Sequence, residues 1–434
     1  MPAIAILGTG MAAFGAASRL AEAGRPFICY DKNPYHGGHT ATFADPSGFV
    51  FDDGPHISFT RDPRLQRFLA DQVDDQYESV RVQINNYWRG HWITHPAQVN
   101  LYGLPTDLVV RIIGDFIEAR GRDERDVKHY ADWLETAYGS TFAETFPMVY
   151  GRKYHTTSAD NLSTEWLGPR MYRPSLEEVL RGALAPAPTT DVHYVTHFRY
   201  PTRGGFASYL RRFPEIADLR LGHELAGLDH RGRQLRFSDG SVQPYEQVIS
   251  SIPLPDLVPR IDGAPADVVN AAARLAFTTA VMVNLGVDRD DLSEAHITYV
   301  YDEDIIFPRL NFPHMLSAGN VPPGTGSIQV EVYFSDKYRP LDRPPATLIE
   351  PVVADLHKVG VLQERDRVLF SEARLVRYAN VIYDLERADA VKLVHGFLDD
   401  IGVRYCGRYG DWNHEWTDEA FVSGEQAAAA VLTG

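Results

Sequence analysis

The sequence predicts an α/β fold organised around a parallel β-sheet. A short apolar run over 3–7 is followed by a glycine-rich turn, a helical pattern over 11–23 and a second apolar run over 27–30. Together they form a strand–helix–strand unit, which places its two strands parallel in one sheet. At the other end of the chain, an apolar strand leads to Gly407 and a helical pattern begins near Asp418. A last strand of this kind is expected to close the sheet that the first strand begins.

The middle of the chain predicts a mixture of helices and antiparallel strands. Residues 62–140 have helical patterns that are interrupted near 85–100, whereas 219–251 alternate around a Ser-Asp-Gly turn and predict a β-meander. Residues 277–334 are rich in predicted strands. Further helices are expected over 344–359, 385–399 and 418–432.

Composition excludes several classes of protein. The chain has 434 residues, of which 44% are hydrophobic and 23% charged, so it is long enough to bury a core and is not mainly disordered. The formal net charge of −16 and the lack of a lysine or arginine run disfavour a nucleic-acid-binding protein. No apolar stretch is long enough to predict a transmembrane helix. With Cys29 and Cys406 as its only cysteines, the chain is expected to be cytoplasmic and to have neither a disulfide framework nor a metal site.

The turn after the first strand has the spacing of a dinucleotide-binding loop. Gly8 permits the sharp turn, Gly10 lets a pyrophosphate approach the backbone, and Ala13 allows the helix to pack closely on the sheet. The N-terminus of this helix then offers free N–H groups to phosphate. Asp31 ends the second strand, where a carboxylate accepts hydrogen bonds from ribose hydroxyl groups and disfavours the phosphorylated ribose of NADP. A glycine-rich turn without a ligand is the alternative, but the combination favours a dinucleotide site.

Two further segments favour FAD over NAD. Directly after the second strand come Lys32 and then Gly37, Gly38 and His39, where adjacent glycines again expose backbone near the expected pyrophosphate. Near the C-terminus, Gly407-Arg408 follows a strand and precedes a helix whose N-terminus could hold the flavin edge or the ribityl chain. A plain NAD enzyme has no need of this second segment.

On these motifs the whole chain resembles the FAD-dependent amine oxidase superfamily, and within it the protoporphyrinogen-oxidase-like and UDP-galactopyranose-mutase-like branches. Five segments carry the resemblance: LGTGMAAFGAASRLAEAG, DKNPYHGGHTATF, FDDGPHISFT, YPTRGGFASYL with VISSIPLP, and GRYGDWNHEWTDEAFVSGEQAA. The resemblance implies a Rossmann-type FAD-binding domain interleaved with an α+β substrate domain. The first would be built from 1–60, 195–260 and 375–434, and the second from 61–194 and 261–374.

The same resemblance implies which residues contact FAD. A backbone contact to adenine would come from the strand near Leu225, and Gly204 and Gly205 would lie close to the flavin ring. The remaining contacts would fall on Gly8, Gly10, Asp31, Lys32, Gly37, Gly38, Gly407, Arg408 and Ser423.

Four side chains are candidates for catalysis. His56 lies in Gly-Pro-His-Ile, which is similar to the mutase segment beside the flavin; it either exchanges a proton or is a structural loop histidine. Arg309 interrupts an apolar strand, so it either meets a substrate phosphate or carboxylate or forms an internal salt bridge. Tyr378 and Tyr383 precede the last strand, where the superfamily often has aromatic residues over the flavin; core packing is the alternative.

Three functions are compatible with these motifs. The leading one is an FAD-dependent oxidoreductase, in which a hydride passes from a small-molecule substrate, such as a sugar nucleotide, to flavin N5. The second is a mutase that isomerises a nucleotide sugar through reduced FAD, and the third is a flavin-bearing scaffold without turnover. In so acidic a chain, an anionic substrate would require local positive charge, for which Arg309, Arg374 and Arg377 are the candidates.

Overall fold

The computed structural model describes residues 3–121, 126–168, 171–186 and 196–433. The predicted domain boundary at 194/195 lies outside the described residues. Over those residues the strands are β1 (Ala3–Leu7), β2 (Phe27–Asp31), β3 (Thr42–Ala44), β4 (Val50–Asp52), β5 (Tyr77–Arg81), β6 (Ile84–Trp88), β7 (His91–Thr94), β8 (His197–Pro201), β9 (Asp218–Leu221), β10 (Leu225–Asp229), β11 (Gln234–Phe237), β12 (Val242–Ser250), β13 (Phe277–Val287), β14 (Ile297–Val300), β15 (Arg309–Asn311), β16 (Gly326–Phe334), β17 (Val368–Val381) and β18 (Val403–Tyr405). The helices are α1 (Met11–Glu22), α2 (Pro63–Gln72), α3 (Thr106–Ala119), α4 (Tyr130–Tyr138), α5 (Ser140–Thr145), α6 (Pro147–His155), α7 (Leu176–Leu184), α8 (Phe213–Ile216), α9 (Leu254–Leu257), α10 (Ala266–Arg274), α11 (Pro313–Leu316), α12 (Ile349–Lys358), α13 (Arg387–Asp400) and α14 (Thr417–Thr433).

Two seven-stranded sheets form the frame of the molecule. In the first, the order is β10-β11-β12-β1-β2-β9, and β18 also pairs with β12. Strands β12, β1, β2, β9 and β18 pair in parallel, which confirms the predicted α/β fold class. In the second, the order is β17-β13-β16-β15-β14-β6-β7. Strand β17 crosses residue 375, so the domain boundary expected there does not coincide with the end of a strand.

The first sheet takes its strands from both ends of the chain and from its middle. Strand β12 pairs in parallel with β1, which begins at Ala3, and with β18, which ends at Tyr405. Strands β10, β11 and β12 form the predicted β-meander. The first sheet therefore combines segments that are far apart in the sequence.

One part of the chain differs from its predicted secondary structure. Residues 77–84, which lie in a region with helical patterns, form β5 and the start of β6, whereas the rest of β6 and β7 lie within the interruption expected near 85–100. Strand β6 pairs in parallel with β14, and β5 pairs with β8. These partners are more than a hundred residues away in the sequence, so the local pattern of apolar residues carries no signal of the pairing.

Helices α1 and α14 pack on each other at unusually close range. A Cβ atom on Gly15 of α1 would lie 2.0 Å from the carbonyl oxygen of Phe421, and one on Gly424 of α14 would lie 1.8 Å from that of Ala12. Glycine at both positions therefore lets the two helix backbones touch. The contact fixes the C-terminal helix beside the helix of the first strand–helix–strand unit.

No described helix combines the length and the apolar character that crossing a membrane would require. Within the same residues, no three His, Cys, Asp or Glu side chains come together as metal ligands would.

We expect Gly424→Ala to lower the midpoint of thermal unfolding by several degrees, because the added methyl overlaps the α1 backbone. Overpacking of this kind typically costs about 1–3 kcal/mol. The matched control is Gly396→Ala in α13, where an added Cβ meets nothing within 4 Å. That control should be neutral or slightly stabilising, since alanine is the better helix former. Equal melting temperatures for both variants would contradict the close contact.

Candidate active site

A large cavity lies between the two sheets. Its volume is about 570 Å³, and it is lined by loops of the first sheet on one side and by the second sheet and nearby helices on the other. We call the first part the nucleotide half; it includes Gly8, Thr9, Gly10, Asp31, Lys32, Gly37, Gly38, His39, Leu225, Gly407 and Arg408. We call the second part the aromatic half; it includes Tyr130, Tyr138, Phe142, Tyr150, Tyr154, His155, Trp166, Tyr299, Tyr301, Arg309, Glu331 and Tyr333.

Gly10 leaves free space toward the nucleotide half. Its φ of −80° is ordinary for any residue, and the nearest atoms to an added Cβ are the Gly37 oxygen at 3.6 Å and the Gly38 Cα at 3.9 Å. The protein itself therefore does not require glycine at this position. Helix α1 starts directly after Gly10 without a side-chain cap, so its first N–H groups remain available to an anion. This cradle fits the pyrophosphate of a dinucleotide.

Asp31 is held in place at the edge of the cavity, at the end of β2. One carboxylate oxygen accepts hydrogen bonds from the Thr9 amide (3.0 Å) and the Thr9 hydroxyl (2.6 Å), and the other accepts one from the Asn33 amide (2.9 Å). The oxygen that accepts from Asn33 keeps a second lone pair. The carboxylate is thus oriented for the ribose contact that the sequence predicts.

The C-terminal segment reaches the same half of the cavity. Gly407 and Arg408 line it, and an added Cβ on Gly407 would lie 2.7 Å from the Ala12 Cβ of α1. The Gly407 amide donates to the Ser423 hydroxyl at 2.9 Å. Ser423 itself lies outside this cavity, on a second one, so it positions the Gly407 loop rather than lining the site.

Four other residues that were predicted to contact or support the cofactor lie at different places relative to the cavity. Leu225 lines the nucleotide half, and its carbonyl accepts a hydrogen bond from Arg260 at 2.8 Å. Ala13 is buried inside α1, as expected for a packing role. Gly204 and Gly205 lie outside the cavity. The turn at Gly205 instead contacts the β3–β4 hairpin, since an added Cβ would lie 2.2 Å from the Thr42 side chain.

His56 lies on the cavity with an unused ring nitrogen. Its Nε2 atom is buried and has no hydrogen-bond partner, and its ring packs against Phe206 at 5.4 Å. Burial lowers the pKa of His56 to about 3, and the Arg408 charge contributes in the same direction. The imidazole is therefore neutral at neutral pH, so it can accept or donate a hydrogen bond but carries no charge.

Arg309 lies in the aromatic half as part of an ion pair. Strand register places it opposite Glu331 on β16 and opposite Tyr299 on β14. Its Nε and Nη2 atoms each donate to one Glu331 oxygen at 2.6 Å. The side chains are 19% and 2% exposed, so the pair is desolvated apart from the arginine edge. Burial by itself would lower the pKa of Arg309, but the Glu331 carboxylate outweighs it and the pKa is raised.

Tyr378 and Tyr383 lie outside the cavity, so the structure does not bring them together with His56 or Arg309. Tyr378 packs on Phe277 at 4.1 Å within a buried cluster. Tyr383 stacks on His414 at 4.9 Å and accepts a hydrogen bond from the His414 amide. Both contacts are those of packing residues, which was the alternative to an aromatic position over the flavin.

The sequence did not predict most of the aromatic half. Its tyrosines come from helices α4 and α6, strands β14 and β16, and the residue that follows β14. Glu331 was missed although a signal existed. It is the single charge in the apolar strand β16, as Arg309 is in its own segment, and two lone opposite charges in apolar strands predict a buried pair.

Comparison with known proteins agrees with this geometry. The family model for flavin-containing amine oxidoreductases matches residues 14–432. The chain belongs to this family. It is therefore a flavin-dependent enzyme whose cofactor is FAD, and the cradle at Gly10, the carboxylate of Asp31 and the Gly407 loop fit that cofactor.

The individual proteins to which the chain is similar have low sequence identity to it. The fold is similar to that of a reduced UDP-galactopyranose mutase, with a TM-score of 0.93 at 23% identity over 100% of this chain and 96% of that one. It is also similar to a protein described as a protoporphyrinogen oxidase from Exiguobacterium sp., with a TM-score of 0.75 at 16% identity over 99% of both chains. A 15-cis-phytoene desaturase of Synechococcus elongatus is 32% identical over 170 residues, which cover 38% of this chain and 32% of the desaturase.

We expect Gly10→Val to reduce FAD binding by this flavoenzyme without unfolding it. The valine side chain would fill the cradle, and we expect the dissociation constant for FAD to rise at least about 10-fold. The measurements are the flavin content of the purified protein, the titration of apoprotein with FAD, and the melting temperature of the apoprotein. Gly114→Val on the exposed face of α3 is the control and should bind FAD normally. Normal flavin content in Gly10→Val would contradict the assignment.

Glu415 should make the stability of the enzyme depend on pH. It lines the cavity, and burial together with the neighbouring Asp411 raises its pKa well above the usual range. A carboxyl with a raised folded-state pKa contributes stability at low pH, and this contribution is lost as pH rises above its unfolded value of about 4.3. We expect Glu415→Gln to match the wild type near pH 5 and to melt at a higher temperature by pH 8. Exposed Glu364→Gln is the control, and a parallel shift at every pH would contradict the expectation.

Proposed function

We propose that this flavoenzyme is an oxidoreductase that removes a hydride from an uncharged, ring-bearing small molecule. The observation that carries the proposal is the Arg309–Glu331 ion pair in the aromatic half of the cavity. Arg309 is the only cation lining that half among the described residues, and a carboxylate already accepts hydrogen bonds from its Nε and Nη2 atoms. The aromatic half of the cavity is therefore electrically neutral before any substrate enters.

An anionic substrate would have to break existing ion pairs. Besides Arg309, the sequence offered Arg374 and Arg377 as sources of positive charge. Arg374 lies 3.6 Å from Asp53 and from Glu372, and Arg377 lies 3.6 Å from Asp256. Removing one partner from the buried Arg309–Glu331 pair leaves the other charge uncompensated, which costs several kcal/mol. A neutral substrate avoids that cost.

The tyrosines of the aromatic half favour ring-shaped substrates. Burial raises the pKa of Tyr150, Tyr299, Tyr301 and Tyr333, so their phenols are neutral throughout the physiological range. Aromatic faces of this kind pack against rings and polarised C–H bonds without needing a charge on the ligand. The compartment is thus suited to orient a flat or cyclic molecule.

The chemistry requires an oxidant, an oriented substrate and the exclusion of water. FAD, when bound, supplies the two-electron oxidant that accepts a hydride. Among the residues of this chain, we assign His56 the role of accepting, at its free Nε2 atom, the proton that the substrate group gives up as the hydride leaves, and of passing that proton on to solvent. The buried aromatic residues of the compartment keep bulk water away from the reacting carbon.

The local similarity to a 15-cis-phytoene desaturase supports a redox reaction on an uncharged carbon skeleton.

A second candidate is a mutase that isomerises a nucleotide sugar through reduced flavin. It is favoured by the TM-score of 0.93 to the reduced UDP-galactopyranose mutase over nearly the whole of both chains. The two candidates differ in whether the aromatic half accepts a diphosphate.

Binding of UDP to the oxidised holoenzyme tests the charge argument. We expect weak binding by the wild type, and at least about 10-fold tighter binding by Glu331→Gln, because that change frees Arg309 for a diphosphate. Glu372→Gln, which removes a partner of Arg374, is the control and should leave UDP binding unchanged. Isothermal titration gives the dissociation constants. Tight binding of UDP by the wild type, unaltered in Glu331→Gln, would refute the neutral compartment.

A second measurement separates the two reactions. Chemically reduced enzyme is incubated with UDP-galactopyranose under anaerobic conditions, and the product is analysed by chromatography. We expect no isomerisation. Formation of a ring isomer without net oxidation would replace the oxidoreductase proposal by the mutase.

A further inference from the structure

Two buried polar atoms in the aromatic half have no partner. The Nδ1 atom of His155 and the Nε1 atom of Trp166 are both buried and make no hydrogen bond. Both residues line the main cavity, and their rings are 5.3 Å apart. Neither residue has a role in the proposed contacts of FAD or of His56.

The rings of both residues are nevertheless well packed. His155 is 4% exposed at the C-terminal end of α6, with its ring against Tyr154 at 4.9 Å. Trp166 packs edge-on against Tyr130 at 5.0 Å. A buried donor or acceptor without a partner costs about 1–3 kcal/mol. Side chains fixed by packing, with their polar atoms unpaired at a cavity, indicate a ligand group that pairs with them.

We propose that His155 and Trp166 form a binding site for a hydroxyl group on the substrate. The inference rests on the proposed function only in that the hydroxyl is carried by a ring that the neighbouring tyrosines can pack against. This site makes His155 and Trp166 determinants of substrate specificity. They act at a place in the cavity distinct from His56.

The hydrogen-bonding atoms of His155 and Trp166 favour a hydroxyl group over a carbonyl or an ammonium group. The indole N–H of Trp166 only donates, so the ligand atom has to be an acceptor. Burial lowers the pKa of His155 to about 4, so its ring is neutral and Nδ1 is either a donor or an acceptor according to the tautomer. A hydroxyl satisfies the pair in both tautomers, because it accepts from Trp166 and either donates to or accepts from Nδ1. A carbonyl oxygen would require a proton on Nδ1, and an ammonium group would face the indole donor.

The test uses phenol and toluene as probes, since they differ only in a hydroxyl against a methyl group. Their dissociation constants are measured on the FAD-loaded enzyme from the change in the flavin spectrum. Dividing the dissociation constant of phenol by that of toluene cancels most of the apolar contribution to binding. We expect this ratio to rise at least about 10-fold in His155→Phe, which keeps an aromatic ring and removes the nitrogen. Trp166→Phe should raise the ratio in the same direction.

The control is His357→Phe on the exposed surface of α12, which should leave the ratio within about 2-fold of the wild type. A ratio unchanged in both His155→Phe and Trp166→Phe would overturn the proposal, as would the absence of saturable phenol binding to the wild type. Trp166→Phe keeps the test valid if His155→Phe fails to fold. Phenol need not be oxidised in this experiment, so its outcome is independent of the UDP and isomerisation measurements.

Discussion

The close contact between helices α1 and α14 is the constraint on which the site depends. Gly15 and Gly424 allow the two backbones to approach within van der Waals distance of each other. Because α14 belongs to the end of the chain and α1 to its beginning, this contact brings the Gly407 loop beside the Gly10 turn. The cradle at Gly10 and the Gly407 loop, which line the same half of the cavity, are thereby positioned by one packing interaction.

The second sheet plays the corresponding role for the substrate. Its register aligns Tyr299, Arg309 and Glu331 in one row across β14, β15 and β16. The row places a charged pair in an otherwise aromatic surface and balances its charge. A buried ion pair of this kind is weak evidence for stability. In the proposed function its importance is electrostatic, since it would decide which charge a ligand can carry into the aromatic half.

The nucleotide half could largely be predicted from sequence, whereas the aromatic half could not. Gly8, Gly10 and Asp31 belong to one turn and one strand end, so local spacing contains their geometry. Tyr378 and Tyr383 were expected near the flavin from their place in the chain, but the left-handed backbone at Tyr378 (φ 64°) and the stacking of Tyr383 on His414 direct them elsewhere. Gly204 and Gly205 were misplaced for a similar reason, because the turn packs on the β3–β4 hairpin. Contacts between segments distant in the chain decided each of these cases.

The sequence by itself determined the fold class, the strand–helix–strand unit at the N-terminus and the use of FAD. These features depend on short-range patterns, in which the spacing of glycines, apolar residues and one carboxylate specifies a turn and the helix after it. Only the tertiary structure decided that Arg309 is paired with Glu331, that His56 keeps a free nitrogen, and that His155 and Trp166 meet at the cavity. The reason is physical: pairing and desolvation depend on which side chains face each other across strands and helices, and that is set by the packing of the whole chain.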